Sequence, residues 1–226
     1  MRRALFALAL LLAPAVCSAQ AVGNGSPAPP AAPYVTQYNA VFLNNSNAGT
    51  LAFANTANSS KAYIIGAACT ATGSTITTPT GYTLLGNGTG NSMQISVYYR
   101  AASGTSSDHM TLTQSAFQVI EVYNLEVDNA GVPIGFATSA QSGLVAPSTP
   151  TIATSAGELL FAFFCPNSSV FAFPSTPGWS GMQDTQFSNL SLLEASTANS
   201  ATTVSTAVRF TSNFAGVTAI FGVPHA

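Results

Sequence analysis

Two sets of similar apolar segments follow one another in the same order along this chain, and this repetition restricts the possible folds more than any other feature. Each set has an apolar run ending in cysteine, then a Thr-Gly-Tyr or Pro-Gly-Trp tripeptide, then a second apolar run. The first set occupies residues 62–69, 80–82 and 119–125, and the second occupies residues 158–165, 177–179 and 217–223. The constant order and near-constant spacing predict one folding unit present in two copies, with pseudo-repeats at about 58–126 and 155–224.

Short β-type runs separated by Gly, Asn, Ser and Pro dominate the chain after residue 33, and helical periodicity is nearly absent. Residues 93–100 alternate in polarity, which is typical of a strand with one face in the core. Residues 159–164 are apolar throughout, which indicates a strand covered on both faces. The sequence therefore predicts an all-β, two-sheet antiparallel jelly-roll sandwich built from an internal duplication, with 34–226 as a single domain. Residues 127–147 carry little strand signal and are interpreted as a crossover between the two copies.

The amino terminus has the pattern of a secretory signal. Two arginines precede the apolar run 4–13, which is too short to span a bilayer, and small residues suitable for cleavage follow near residue 20. Residues 1–21 are therefore predicted to be a signal peptide, and the Pro-rich residues 22–33 a leader that acts as a spacer. The mature protein is expected to be secreted to the extracellular space, with the periplasm as the alternative, and to have no membrane span.

Charged residues make up only 5% of the chain. Once the signal is removed the only cations are Lys61, Arg100 and Arg209, and three scattered cations cannot form the basic stripe that neutralises a phosphate backbone. Nucleic acid is therefore excluded as an electrostatic partner. A surface covered mostly by Ser, Thr, Asn, Gln and Gly favours partners that are recognised through hydrogen bonds and van der Waals contact.

Cys69 and Cys165 occupy matching places in the two copies, each at the end of an apolar run. An oxidising compartment would permit a disulfide between them. The other interpretation is that both are small buried hydrophobic residues in equivalent strands. The sequence leaves both interpretations open.

Four charged residues in apolar segments need an explanation, because a buried charge must be paired or protonated. We expect two structural ion pairs, Arg100 with Glu121 in the first copy and Arg209 with Glu194 in the second. The alternative is that Glu121 and Glu194 flank a sugar bond as the two carboxylates of a glycoside hydrolase. The structural role is the favoured interpretation.

No other constellation indicates a reaction, so the protein is not expected to be an enzyme. A serine hydrolase needs a histidine base, and the chain offers only His109, next to an aspartate in a turn, and His225 at the extreme carboxyl terminus. Glu126 and Asp128 resemble only a fragment of a calcium loop. We expect neither a metal site nor a cofactor.

Aromatic rings are the candidate binding residues, because flat rings stack on sugar faces. Tyr98 is predicted to face away from the core side of its strand and is the best exposed candidate. Tyr82 and Trp179, each preceded by glycine at equivalent places in the two copies, are the other two candidates. For these two, plugging the interior is the favoured role, since large aromatics also dominate cores.

Three runs carry a family resemblance: SAGELLFA at 155–162, TPTGYTLL at 78–85 and VYYRA at 97–101. They resemble a pattern of roughly GDLL, PxGW and vyyRvA in β-sandwich domains of bacterial exported proteins and phage tail-associated proteins. The resemblance implies a lectin-like jelly roll and indicates no catalytic activity. This chain differs from the pattern in having Glu158 where the second copy would have Asp, and Tyr82 for Trp in the first copy.

These observations favour a secreted, non-catalytic surface module that takes part in adhesion or binds glycans and other cell-surface components. One alternative is a structural subunit of an extracellular coat or appendage that self-associates through exposed sheet edges. Another is a polysaccharide-active enzyme that uses Glu121 or Glu194.

Overall fold

A computed structural model describes residues 31–52, 55–57, 61–104, 109–167, 172–174, 176–181, 192–197, 202–210 and 213–226. The proposed signal peptide and most of the leader lie outside these residues. The first eight strands are β1 (Tyr34–Ala52), β2 (Tyr63–Ala71), β3 (Ile76–Thr77), β4 (Thr83–Gly90), β5 (Met93–Ala101), β6 (His109–Asp128), β7 (Ile134–Leu144) and β8 (Ile152–Thr154). The others are β9 (Leu159–Pro166), β10 (Ala172–Pro174), β11 (Ser180–Gly181), β12 (Leu192–Thr197), β13 (Thr202–Val204), β14 (Val208–Phe210) and β15 (Phe214–Val223).

The described residues form strands and no helix, so the predicted all-β class is confirmed. The first large sheet has the order β1-β6-β2-β5-β4, with β3 also paired to β6, and the second has the order β7-β15-β9-β12-β11. Two small sheets, β10-β14 and β8-β13, complete the described fold, and every pair of neighbouring strands is antiparallel. Each large sheet takes its strands from one half of the chain, and jelly-roll connectivity is not confirmed by this order. Nothing in the described part of the chain forms a helix that could cross a membrane.

The segment 127–147, interpreted from its weak strand signal as a crossover, contains a strand at its centre. Residues Ile134–Leu144 form β7, which pairs with β15 as an edge strand of the second large sheet. Its side chains are half-buried or exposed along most of its length. The strand signal is weak because an edge strand of this kind has small polar residues instead of a regular apolar face.

The two large sheets share one apolar core. Alternate residues of β2, β5 and β6 face alternate residues of β9 and β15 across it. The ring of Tyr123 meets Phe163 edge-on with centroids 5.5 Å apart, and Phe161 stacks on Phe221 at 5.3 Å. This arrangement is sandwich-like, because each sheet covers the inner face of the other.

The outer face of each large sheet is buried as well. On the first sheet, Met110 and Leu112 from the beginning of β6, together with Tyr82, cover side chains such as Ile64 on β2. On the second sheet, Trp179 and the strand β14 cover the outward residues of β9 and β15. Every residue of β9 is consequently buried, which confirms the prediction that this apolar run is covered on both sides.

At one margin of the sandwich, β4 and β7 run side by side without pairing. A side chain at Gly86, Gly88 or Gly90 of β4 would overlap Phe136, Thr138 or Ala140 of β7, respectively. Alternate glycines on one face of β4 therefore allow the edge of the first sheet to pack closely against the edge of the second. The contact reduces the length of exposed sheet edge at this margin.

Candidate binding cleft

A tight turn forms one wall of a cleft on the outer side of the first large sheet. The amide of Tyr82 donates to the carbonyl of Pro79 at 3.0 Å, and Gly81 between them has φ of 80°. This is the geometry of a type II turn, in which glycine is favoured at the third position because φ is positive. The turn directs Tyr82 into the outer core and leaves Thr80 exposed.

The second half of the chain contains the same turn. The amide of Trp179 donates to the carbonyl of Thr176 at 3.3 Å, and Gly178 has φ of 86°. Tyr82 and Trp179 are only 8% and 9% exposed, so the rings fill the two outer cores. Neither ring offers an open face, and their burial does not support a ligand-binding role for them.

The cleft has a volume of about 340 Å³, near the lower end of the 300–1,000 Å³ common for small-molecule sites. Five of its lining residues are threonines, contributed by β3, by the segment from Thr78 through the turn and by the beginning of β6. The described residues around it are Thr77, Thr78, Pro79, Thr80, Arg100, His109, Thr111 and Thr113. The lining thus combines several hydroxyl groups with a guanidinium and an imidazole, and it contains no carboxylate among these residues.

Arg100 enters the cleft from the end of β5. Its guanidinium carbon lies 5.3 Å from the centre of the Tyr82 ring, which is a cation–π arrangement. The half-buried stem and the ring contact restrict the side chain to one region of the cleft. A positive charge is therefore held beside the threonine hydroxyls.

Hydrogen bonds fix the wall that β3 forms. The hydroxyls of Thr70 and Ser74 approach the Gln114 side-chain oxygen at 3.3 Å and 2.9 Å, and all three residues are buried. The amide of Thr75 donates to the Ser115 hydroxyl at 2.8 Å. Because these contacts tie the chain before β3 to β6, the positions of Thr77 and Thr113 are set by the fold.

Tyr98, predicted to be the best exposed aromatic, is 2% exposed, so that prediction is wrong. The alternation in β5 correctly assigns Tyr98 to the outer face. That face is itself covered by Tyr82 and by the beginning of β6, which a two-layer interpretation did not include. Burial raises the pKa of Tyr98 above 10.0, and a hydrogen bond with Ser96 opposes the shift.

The raised pKa of Tyr98 predicts a loss of stability in alkali. The folded protein holds the phenolic proton more tightly than the unfolded chain, so this contribution is complete below pH 10 and is lost as pH rises through the folded pKa. The urea midpoint of the wild type should fall more between pH 9 and 11 than that of Tyr98→Phe. An equal fall in both proteins would contradict the assignment.

The backbone does not bring the predicted ion pairs together. Arg100 lies opposite Ile64 on β2, whereas Glu121 lies opposite Cys69, about 17 Å further along the strand at roughly 3.3 Å per residue. Glu126 on β6 pairs with the same β2 residue, Ile64, as Arg100 does on the other side. No pattern in the sequence indicated a partner for Glu126.

Arg209 and Glu194 lie on strands of different sheets. Arg209 is exposed on β14, opposite Phe173, and Glu194 lies on β12, opposite Ala162. The side chains of Glu121 and Glu194 are outside the described part of the structure. Both proposed pairs are therefore unconfirmed, and the backbone register gives them no support.

Cys69 and Cys165 are joined by a disulfide, with their Cα atoms 5.6 Å apart. Cys69 lies on β2 and Cys165 on β9, and both side chains face the shared core. The bond thus links the two large sheets across the interior. Of the two interpretations left open by the sequence, the structure shows the bonded one.

Glu126 and Asp128 lie on the outer face of β6, where polar neighbours hold them. The Gln37 amide donates to Glu126 at 2.6 Å, and the Tyr34 hydroxyl donates to Asp128 at 3.3 Å. The described residues contain no group of three His, Cys, Asp or Glu side chains that could hold a metal ion.

Comparison of the chain with protein-family models, with curated proteins and with solved structures gives no match. The candidate site therefore rests on the geometry described above.

The lining threonines were not singled out by sequence reasoning, and neither was a binding role for Arg100 or His109. Threonine is frequent throughout this chain, so Thr77, Thr111 and Thr113 had no distinguishing pattern. They come together because the beginning of β6 pairs with β3, with Thr113 directly opposite Thr77. The usable signal was the alternation of threonine with apolar residues at 109–113, which indicates a strand with one polar face.

Proposed function

We propose that this protein is a secreted, non-catalytic surface module that binds glycans in the cleft between β3, the turn before Tyr82 and the beginning of β6. The observation that carries the proposal is the cleft lining, with five threonines beside a ring-anchored arginine. Sugars present many hydroxyl groups, and fixed hydroxyl and guanidinium groups are complementary to them. The signal-like amino terminus and the inter-sheet disulfide are both consistent with an oxidising, extracytoplasmic location.

The fold that presents this cleft is, in our proposal, a duplicated unit. The large sheets have corresponding strand orders, and residues in matching register differ by a constant interval. Gly66 pairs with Asn124 in the first sheet, and Ala162 pairs with Ile220 in the second. Ala162 lies 96 positions after Gly66, and Ile220 lies 96 positions after Asn124. The disulfide joins residues that are also 96 positions apart.

One substitution between the halves supports their equivalence. Glu126 of the first half corresponds in register to Gly222 of the second, and Glu158 of the second half stands 96 positions after Ala62. Both carboxylates are buried. A Cβ added at Gly222 would lie only 3.0 Å from Glu158 Oε2, so the Glu158 side chain lies against the Gly222 position. A buried carboxylate thus lies in this region of each half, Glu126 on β6 in the first and Glu158 just before β9 in the second.

The glycan proposal predicts that binding depends on the paired threonines. Thr77→Val with Thr113→Val keeps the shape and strand preference of both exposed side chains while it removes two hydroxyls. We expect affinity for a glycan found on an array of neutral and acidic oligosaccharides to fall about tenfold, since each hydrogen bond contributes about 0.5–1.5 kcal/mol. Titration calorimetry measures the change.

The matched control is Thr203→Val, which removes an exposed strand hydroxyl from β13 in the second half. This variant should bind like the wild type. An array without any bound glycan, or equal affinity for the double variant and the wild type, would overturn the proposal.

The polysaccharide-hydrolase alternative receives less support. It requires Glu121 and Glu194 on either side of a sugar bond. These residues lie on β6 and β12, in different large sheets, and the space between those sheets is filled by the apolar core. A coat or appendage subunit remains a second proposal, supported by the edge strand β1, where Tyr34 and Tyr38 are about half exposed.

A further inference from the structure

We infer that the ligand of this cleft is an acidic saccharide whose carboxylate is bound by Arg100, and that each chain has one such site. This inference rests on the proposed glycan-binding function and specifies the class of glycan. Its support comes from the charge of the lining, the chemistry of the guanidinium and the difference between the two halves of the chain.

Among the described residues, the cation of the cleft lining has the opposite sign to the net charge of the protein. The chain has five lysines and arginines against seven aspartates and glutamates, yet the described lining contains a guanidinium, an imidazole and no carboxylate. A guanidinium in the lining of an acidic protein attracts anions to the cleft in preference to the rest of the surface.

The planar guanidinium of arginine recognises the carboxylate of a sugar more selectively than a single point charge such as an ammonium group would. Arginine offers five donors in a planar fork, which can serve a carboxylate with two parallel hydrogen bonds. The Tyr82 ring lies under the guanidinium and limits its orientation. Thr77, Thr111 and Thr113 line the same cleft with exposed side chains, and their hydroxyls can bond the sugar hydroxyls next to the carboxylate.

The second half of the chain lacks the required cation. Arg100 lies opposite Ile64 on β2, and the residue in matching register opposite Leu160 on β9 is Ser196. The remaining described arginine of that half, Arg209, lies in the separate β10-β14 sheet. Both halves therefore contain the turn, whereas the arginine at the position of Arg100 is found only in the first half.

The test is calorimetric titration of the full mature protein with three probes: an oligogalacturonide, a neutral galactan oligomer of equal length, and inorganic phosphate. The oligogalacturonide should bind with one site per chain and the galactan at least about tenfold more weakly, as expected for loss of a charge-assisted contact. Arg100→Gln should lower oligogalacturonide affinity about tenfold or more, and Arg100→Lys should retain part of it because the charge remains.

Arg209→Gln is the matched control, since it removes the same charge from an exposed position and should leave binding unchanged. Equal loss in both Gln variants would overturn the inference, because a general charge effect would then explain it. Equal affinity for galactan and oligogalacturonide, unaffected by Arg100→Gln, would overturn the inference but leave the proposed glycan function standing. Binding of phosphate without either oligosaccharide would overturn both, as would the absence of all binding.

Discussion

Removing the disulfide between Cys69 and Cys165 is expected to lower the free energy of unfolding by about 4–5 kcal/mol. The bond joins residues 96 positions apart, one on β2 and one on β9. Because a cross-link over so long a loop restricts the unfolded chain strongly, its loss increases the entropy of the unfolded state. It also removes the covalent link between the sheets.

Urea denaturation of the oxidised wild type, the reduced wild type and the Cys69→Ala, Cys165→Ala double variant measures this effect. The reduced protein keeps both sulfur atoms, so it separates the cross-link from the small packing defect left by alanine. The reduced protein and the double variant should both be less stable and show larger m-values, since their unfolded chains are less compact. Equal stability with and without reductant would show that the two sheets are not linked in this way.

Alanine at Gly216 is expected to destabilise the fold by about 3 kcal/mol or more, because the added Cβ has no room. Gly216 lies on β15 opposite Pro166, and its Cβ would overlap the carbonyl oxygen of Cys165 and lie 2.9 Å from the Pro166 Cα. Those atoms belong to the backbone of β9, in the centre of the second large sheet. They cannot move aside as a flexible side chain could, so the strands themselves would have to separate.

Gly73 supplies the matched control for this prediction, since no atom lies within 4 Å of a Cβ added there. Gly73→Ala should stay within about 1 kcal/mol of the wild type, because the substitution only restricts the unfolded chain. Thermal and urea denaturation of both variants give the comparison. A Gly216→Ala protein as stable as Gly73→Ala would contradict the close approach of β15 and β9.

The all-β class was accessible from the sequence because it depends on regular patterns. Apolar runs such as 159–164 and the two Gly-aromatic turns have local causes: burial on both faces and the positive φ of a type II turn. Cys69 and Cys165 ended matching runs, so their proximity could be inferred as one option, although the sequence alone did not settle the bond.

The outer layers could not be predicted in the same way. Tyr98 follows the pattern of a strand with one exposed face, yet the beginning of β6 bends over that face and buries it. Such a covering depends on contacts between residues distant in the sequence, to which local alternation is not sensitive. The weak strand β7 escaped detection for a related reason, since its polar residues are compatible with an edge position.

The same limitation applies to the cleft. Thr77 and Thr113 are 36 positions apart and meet only because β3 pairs with β6. The ion-pair prediction for Arg100 assumed that its partner was Glu121, but the register of β2 places Glu126 at that level. Register over several strands is set by the whole sheet and cannot be assigned from the individual segments.

Binding of an acidic saccharide in the cleft is tested most directly by mapping the amide chemical-shift changes of the isotopically labelled protein during titration with an oligogalacturonide. We expect the largest changes to be confined to the lining of the cleft in the first half, around Thr77, Thr80, Arg100 and Thr111. Changes centred on the turn at Trp179 and on β14 in the second half, or a spectrum that does not change at all, would show that the ligand does not bind in this cleft.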